Sequence, residues 1–405
     1  MLSVAEAQKT ILSEITPVGY ESVPLSLSLG RILAESIVSK IADPPWDRSA
    51  MDGYAIQSEE SQFALENNPC TLTVIEIIRA GVIPTKAVTK GTTSKVMTGA
   101  PIPEGADAII KIEDIKVGSD QTITLTRPVP AGAFIRPRGG VIREGALLLS
   151  PGIVIRSYEI ALMAAIGVTT VSVSKRPIVA ILSTGDELVD IHQKREPHQI
   201  YNSNGYGLAA QVTEAGGGPL SLGIAKDNLA DLTSKLEKAK EADFILLSGG
   251  VSVGDYDIVK EVLTMKFWKV AMKPGKPLAF GRIAGKIAFG LPGNPVSAMV
   301  TFDQFVRPAL LASQGRNDLF LPVVQAKLMA PIEKEVRPLR EEGRCHFVRG
   351  RLSLQDGEYQ VTPTGDQDSA NLVSLTQANG LIVIEAQSGD VEAGAMVSVQ
   401  VMSLF

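Results

Sequence analysis

Residues 242–257 read ADFILLSGGVSVGDYD. Four apolar residues, Phe244 to Leu247, run without polar alternation and stop at Ser248 and a glycine pair. A short unbroken apolar run closed by glycines is the pattern of a strand buried on both faces. PIVAILST (177–184) and PLSLGIAKD (219–227) follow the same pattern, and WKVAMKPG (268–275) is expected to be a fourth strand. Helical segments are expected at Ser203–Ala215, Leu229–Ala242 and Tyr256–Met265. A hairpin-like pair, PLAFGRI and GKIAFGLP, precedes a helix from Pro295 to about Leu311. Strands alternating with helices predict an α/β domain over 176–317, built on a mostly parallel sheet covered on both faces.

Outward from that segment the pattern changes. From 46 to 138 the chain is strand-and-turn rich, with TLTVIEIIRAG, TSKVMTG, ADAIIKIED and QTITLTRPV as β-type runs. This stretch reads as an inserted β-rich domain. An opening helix, the Pro44-Pro45 joint and a helix at Ser157–Ile166 assign 1–45 and 139–175 to a discontinuous linker domain. The last segment, 318–405, is all-β by pattern and expected to be barrel-like. At 405 residues the chain is too long for one core, so a multidomain α/β plus β protein is expected.

Charge and cysteine usage narrow the function classes. With 39 basic against 44 acidic residues, the net charge of −5 argues against a nucleic-acid binder. Two distant cysteines, Cys70 and Cys345, make neither a disulfide framework nor a CxxC zinc site. The opening stretch lacks a signal-peptide pattern, and the apolar run Ile160–Val173 is shorter than the ~20 residues a membrane span needs. A cytoplasmic, non-membrane protein is expected.

In an open parallel sheet, ligands bind beyond the carboxyl ends of the strands. Behind those ends the sequence places Ser183, Thr184, Gly185, Asp186 and Glu187; Asp227; Ser248, Gly249, Gly250, Ser252, Gly254 and Asp257; and Pro292, Gly293 and Asn294. The glycine loop offers backbone N–H groups suited to a phosphate, although a tight strand-to-helix turn would use the same glycines. Asn294 with Pro295 also reads as a plain helix cap. From Val262 to Phe302 there is no Asp or Glu, while Lys266, Lys269, Lys273, Lys276, Arg282 and Lys286 fall there. A basic patch in an acidic protein implies an anionic ligand. Glu187, Asp227 and Asp257 opposite those cations suggest Mg²⁺, a hard ion that takes oxygen ligands. One competing signal is Gly205-Tyr206-Gly207-Leu208-Ala209-Ala210 with Asp227 beyond it, the outline of a dinucleotide fingerprint. The polar residues before it are not a strand, so its required context is missing.

Six segments resemble one family in the same order along the chain: DPPWDRSAMDGYA (43–55), VMTGAPIPEGADAIIKIED (96–114), STGDEL (183–188), SGGVSVGDYD (248–257), KPGKPLAFG (273–281) and GLPGNPVSA (290–298). They resemble the MoeA-type molybdopterin molybdenumtransferases and the C-terminal domain of gephyrin. The resemblance implies a four-domain homodimer that uses molybdate and Mg²⁺ to convert adenylylated molybdopterin, releasing AMP and leaving molybdenum on the dithiolene. A molybdopterin adenylyltransferase would be the delivering partner. Glu187, Asp227 and Asp257 look like the family's acidic cleft residues, and Lys269, Lys273 and Lys276 like its anion-binding lysines. Asp52 and Thr98 match functional positions that the family brings in from the other subunit. Arg349 and Ser369 resemble residues that, with Lys273 and Lys276, would hold molybdate.

Two places depart from the family pattern. Gly140 and Val141 stand where an acidic pair is common, and Asp368 precedes Ser369 where a small residue is commoner. The alternatives left open are a non-catalytic scaffold or carrier of the gephyrin type and a homologue that inserts tungstate.

Overall fold

The computed structural model describes residues 1–250, 259–333 and 343–402. Its contacts divide the chain into two units, Met1–Glu35 with Pro151–Ser157 and Thr170–Phe405, and Ser36–Ser150 with Tyr158–Thr169.

The second unit carries a six-stranded sheet in the order 108–111, 53–56, 92–96, 70–78, 122–125, 116–117. The strand Gly53–Ile56 is buried at all four positions, because both faces of the sheet are covered. Tyr54 and Ile56 enter one cluster with Leu72, Ile110 and Ile123, while Ala55 enters another with Ile78, Val96 and Ile109. That split is the period-two alternation of a strand. Gly53 is required here, since a Cβ would lie 2.1 Å from the Ile110 carbonyl oxygen on the neighbouring strand.

In the first unit, a six-stranded sheet runs 218–225, 178–184, 244–248, 286–291, 279–283, 264–268. The first four strands are parallel and the last two antiparallel. The expected helices are present as Ser203–Glu214, Leu229–Leu236 and Pro295–Thr301, the last continuing through a π-helical turn, Phe302–Val306, into Arg307–Ser313. Between Tyr256 and Met265 the described residues hold the short helix Val259–Val262 and, from Thr264, the start of the edge strand Thr264–Trp268 instead of a longer helix. Phe244, Leu246, Phe280 and Phe289 pack one face of the sheet, joined by Ala7 and Ile11 of the opening helix Val4–Leu12. Ser3 and Glu6 form a capping box that starts this helix. Each such buried side chain contributes about 1.5–3 kcal/mol of transfer free energy.

The expected fourth strand is a correction. WKVAMKPG does not enter the sheet as a unit; its edge strand is Thr264–Trp268, antiparallel to 279–283. At Lys269 the backbone turns through φ +88°, and Met272–Lys273 pairs instead with Cys345–His346. A closed five-stranded barrel follows, formed by 323–328, 345–355, 358–363, 380–384 and 396–401. Strand 345–355 pairs with both 358–363 and 380–384, which closes the ring. Ala326, Leu328, Leu352, Val361, Ile382 and Val399 fill it.

Candidate active site

The parallel register delivers the loops to one edge. Thr184 pairs with Ala225, Ser183 with Ser248, and Ser248 with Leu291. The residues that follow, 185–187, 226–227, 249–250 and 292–294, therefore emerge side by side, as the sheet argument requires.

At the first loop Gly185 adopts φ +150°, and a Cβ there would lie 2.5 Å from Glu187 Oε2. The absent side chain lets the Glu187 carboxylate fold over the turn. Asp186 and Asp227 are cross-linked through their backbones: the Asp227 N–H donates to Asp186 Oδ1 at 3.2 Å, and the Asp186 N–H to Asp227 Oδ2 at 3.4 Å. Glu187, Asp186 and Asp227 are all exposed. Gathering exposed carboxylates at one rim raises the local negative potential and favours a cation. Among the described residues, no three His, Cys, Asp or Glu side chains are arranged to hold a metal ion. The third expected carboxylate, Asp257, lies outside the described residues, as do Ser252 and Gly254.

Below this rim the hydroxyls of Ser183 and Ser248 face inward rather than toward a ligand. Ser183 Oγ bonds Asn202 Oδ1 at 2.8 Å, and Ser248 Oγ accepts from Asn204 Nδ2 at 2.8 Å. Both serines are buried. Asn202 also caps the helix Ser203–Glu214 by accepting from the Gly205 N–H. Thr184 Oγ1 is buried without a hydrogen-bond partner among the described residues. Gly249 and Gly250 adopt φ +91° and +62°, and a Cβ on Gly249 would lie 2.5 Å from the Thr184 carbonyl oxygen. Glycine is thus required for Gly249 to lie against the first strand end.

Asn294 occupies the cap position of the helix Pro295–Thr301, but its side chain makes no capping bond. Its Nδ2 donates instead to Ser369 Oγ at 2.7 Å, and the Val296 N–H donates to the Ser369 carbonyl at 3.0 Å. Ser369 therefore reaches the start of this helix from the loop that follows strand 358–363. Arg349 is placed differently from expectation. It is fully buried, with Nε donating to Ser374 Oγ at 2.7 Å and Nη2 donating to the carbonyls of Asp366 and Asp368 at 3.0 and 3.1 Å. Burial lowers its pKa, opposed by Asp366 and Asp368. In this structure its guanidinium ties down the loop that carries Ser369.

The lysines divide into two sets. Lys266 and Arg282 each lie 3.1 Å from Glu14, whose carboxyl they hold below the usual range, Lys266 most strongly. Those two cations belong to an ion-pair network that the acid-free stretch concealed, because Glu14 is remote in sequence. Lys269, Lys273 and Lys276 are half-buried around the turn between two sheet strands, with Val270 N–H donating to the Lys276 carbonyl at 3.0 Å. Gly275, at φ +103°, lets that turn press onto Thr301, whose Oγ1 a Cβ would approach to 2.4 Å.

Asp52 and Thr98 lie in the other unit and bond each other. Asp52 Oδ1 accepts from the Thr98 N–H at 2.7 Å and from its hydroxyl at 2.8 Å, which lowers the Asp52 pKa. The dinucleotide-like glycines sit inside the helix Ser203–Glu214, not in a phosphate loop. Gly207 is there for packing, since a Cβ would lie 2.9 Å from Met299 Cε.

Three family models match successive parts of the chain. The model of the MoeA N-terminal region (domain I and II) matches residues 2–167, that of a probable molybdopterin binding domain matches 180–312, and that of the MoeA C-terminal region (domain IV) matches 337–402. A molybdopterin molybdenumtransferase of Nostoc sp. is 38% identical over 378 residues, covering 90% of this chain and 84% of that protein. Molybdopterin molybdenumtransferase 2 of Mycobacterium tuberculosis is 35% identical and covers 98% and 99%. The chain belongs to the molybdopterin molybdenumtransferase family.

A crystal structure of the molybdopterin biosynthesis MoeA protein from Pyrococcus horikoshii superposes at TM-score 0.86, with 31% identity and 99% and 100% coverage. The multidomain fold, with its α/β domain and C-terminal barrel, is thus the family's. Within it, Val141 is 65% exposed and its N–H donates to the Asp43 carbonyl. Asp368 Oδ1 accepts from the Ala370 N–H at 2.7 Å, so this departure serves the turn that presents Ser369. Asn202 and Asn204 were not singled out by sequence reasoning; Asn202 reads only as an ordinary cap before Ser203, and Asn204 as a residue of that helix's first turn.

Proposed function

We propose that the chain is a molybdenum-inserting transferase of molybdenum cofactor biosynthesis, acting on adenylylated molybdopterin and molybdate and releasing AMP. The observation that carries this reading is the convergence of carboxylates, glycine N–H groups and the Ser369-linked helix start on one sheet edge, within a chain of this family. The Gly249 N–H is given to the Leu291 carbonyl at 3.1 Å, so the backbone N–H of Gly250 would receive the AMP phosphate, with Gly249, Pro292, Gly293 and Asn294 lining its approach. Lys269, Lys273 and Lys276 supply positive charge for the anionic substrates, with Lys273 and Lys276 nearest in role to molybdate, a tetrahedral dianion. Ser369 would contribute a hydroxyl to that anion, and Arg349 would act by holding its loop.

Mg²⁺ fits the donor set, because the exposed carboxylate oxygens of Glu187 and Asp227 retain acceptor capacity, and Asp257 would complete it. When bound, it would neutralise phosphate charge and polarise the phosphoanhydride. The protein's own residues orient the phosphate, and water opens the P–O–P bond to give AMP. One molybdate oxygen leaves as water, taking the two dithiol protons, as the two sulfurs form their bonds to molybdenum.

The proposal includes a homodimer in which Asp52 and Thr98 serve the partner's cleft, an adenylyltransferase that delivers the substrate, and a cytoplasmic location. It also keeps four domains: 1–45 with 139–175, 46–138, 176–317 and 318–405. No helix among the described residues is long and apolar enough to cross a membrane, which is compatible with that location.

The test is AMP release from adenylylated molybdopterin in the presence of Mg²⁺, with and without molybdate, compared with Lys273→Ala. Molybdate-dependent release that drops at least ~100-fold in the variant is expected, the scale of losing an electrostatic contact to the reacting anion. Binding without AMP release by the wild type would instead establish a scaffold, and Val141→Asp would then be the first restoration.

A further inference from the structure

Asn204 is the least explained group at the sheet edge. It lies in the first turn of the helix Ser203–Glu214 and is 9% exposed. Both hydrogens of its amide are engaged: Nδ2 donates to Ser248 Oγ and to the Gly293 carbonyl, each at 2.8 Å. Its Oδ1 is buried and has no hydrogen-bond partner among the described residues. Reversing the amide would set its oxygen against the Gly293 carbonyl, which can only accept, so that partner dictates the orientation.

A buried acceptor without a partner is uncommon in folded proteins, and its retention calls for a compensating use of the group. The two partners show what that use is. Ser248 ends the third parallel strand and leads into Gly249-Gly250, while Gly293 belongs to the loop that starts the helix Pro295–Thr301. The two loops touch, since a Cβ on Gly293 would lie 3.8 Å from Gly249 Cα. Gly249 in turn lies against Thr184, whose Oγ1 is also buried and unpaired. One amide therefore brackets the two backbone segments that face a phosphate. A hydrophobic side chain of the same size would fill the space but could not fix their separation.

We propose that Asn204 is a positioning residue that sets the spacing between the Ser248–Gly250 and Pro292–Asn294 loops, and thereby the affinity for the AMP phosphate of the substrate. This inference rests on the transferase reading. A phosphate held by donors from two loops is sensitive to their separation, because hydrogen bonds weaken steeply beyond ~3.2 Å. The phosphate is present in the ground state as well as in the transition state. The loss should therefore raise KM more than it lowers kcat.

The experiment compares wild type, Asn204→Leu, Asn204→Asp and Ser248→Ala as full chains. Each is titrated with AMP by calorimetry and assayed with adenylylated molybdopterin, molybdate and Mg²⁺. Asn204→Leu keeps the volume, and Ser248→Ala removes one arm of the bracket from the opposite side. The expected result is a ~10–100-fold rise in the AMP Kd and in KM for both, with kcat within ~3-fold, as for loss of a uniform binding interaction. Asn204→Asp should be worse, because it replaces the donors with a carboxylate that faces a carbonyl oxygen and the anion. Asn204→Leu with wild-type KM would overturn the proposal, since volume alone would then suffice. If Asn204→Leu fails to fold, Ser248→Ala decides: unchanged AMP affinity and KM refute the bracket. A wild type that binds no AMP and turns over no substrate would bring down the transferase reading, and the inference with it.

Discussion

Gly249 and Gly293 stand next to each other at the candidate site, yet the structure gives them opposite constraints. Gly249 has φ +91°, and a Cβ would come 2.5 Å from the Thr184 carbonyl oxygen. Gly293 has no positive φ, and its nearest neighbour to a new Cβ is Gly249 Cα at 3.8 Å, an ordinary van der Waals contact. For Gly249→Ala, the left-handed conformation costs about 1–2 kcal/mol. Displacing the Thr184 backbone adds about 1–3 kcal/mol, the usual range for overpacking. The sum, about 2–5 kcal/mol, is a large share of the roughly 5–15 kcal/mol that holds a domain folded. At about 2–4 °C per kcal/mol for a domain of this size, Tm should fall by about 5–15 °C. Gly293→Ala should stay within about 0.5 kcal/mol of wild type. Its methyl would nevertheless project where the phosphate is proposed to approach the backbone, so KM should rise without loss of Tm. Differential scanning calorimetry with the AMP-release assay separates the two effects. A Gly249→Ala protein that melts within ~1 °C of wild type would refute the close-approach reasoning.

Asp303 supplies a test in pH. It lies half-buried within the π-helical turn, facing Arg307 farther along the same helix and Gln211 and Glu214 on the helix Ser203–Glu214, and desolvation of its carboxyl pushes its pKa up to about 7. The native state therefore holds this proton more tightly than the unfolded chain, whose value is near 3.8, so the stability it contributes is present below that and lost as pH rises to about 7. Asp303→Asn should remove this loss, gaining on the order of 1–3 kcal/mol relative to wild type between pH 5 and pH 8 in urea unfolding; an identical pH slope in the two proteins would exclude it. Arg349→Met removes two hydrogen bonds that hold the 366–369 loop and a third to Ser374, and should cost about 2–4 kcal/mol while weakening molybdate dependence; unchanged stability would deny the loop-holding role.

The β-rich insert, the parallel strands and the barrel were legible in the sequence because their signal is local. Unbroken apolar runs ending in glycine, and alternating runs between turns, state how many faces each strand buries. The family was legible in the order of six motifs. What misled was also local: WKVAMKPG looked like one strand because its apolar content continues, although the backbone turns at Lys269 and Met272–Lys273 pairs with the barrel. The six cations after Val262 looked like a single anion site because Glu14, which pairs with two of them, Lys266 and Arg282, lies more than two hundred residues away.

The sequence by itself determined which residues reach the sheet edge, since strand length and register carry Glu187, Asp227, Gly249 and Asn294 to the carboxyl ends. Only the tertiary structure decided what each side chain does there. Ser183 and Ser248 turn inward to two asparagines, Asn294 leaves its cap for Ser369, and Arg349 spends its guanidinium on loop carbonyls. The physical reason is that a hydrogen bond depends on distance and direction between atoms from separate segments. Those quantities do not exist until the loops are brought together.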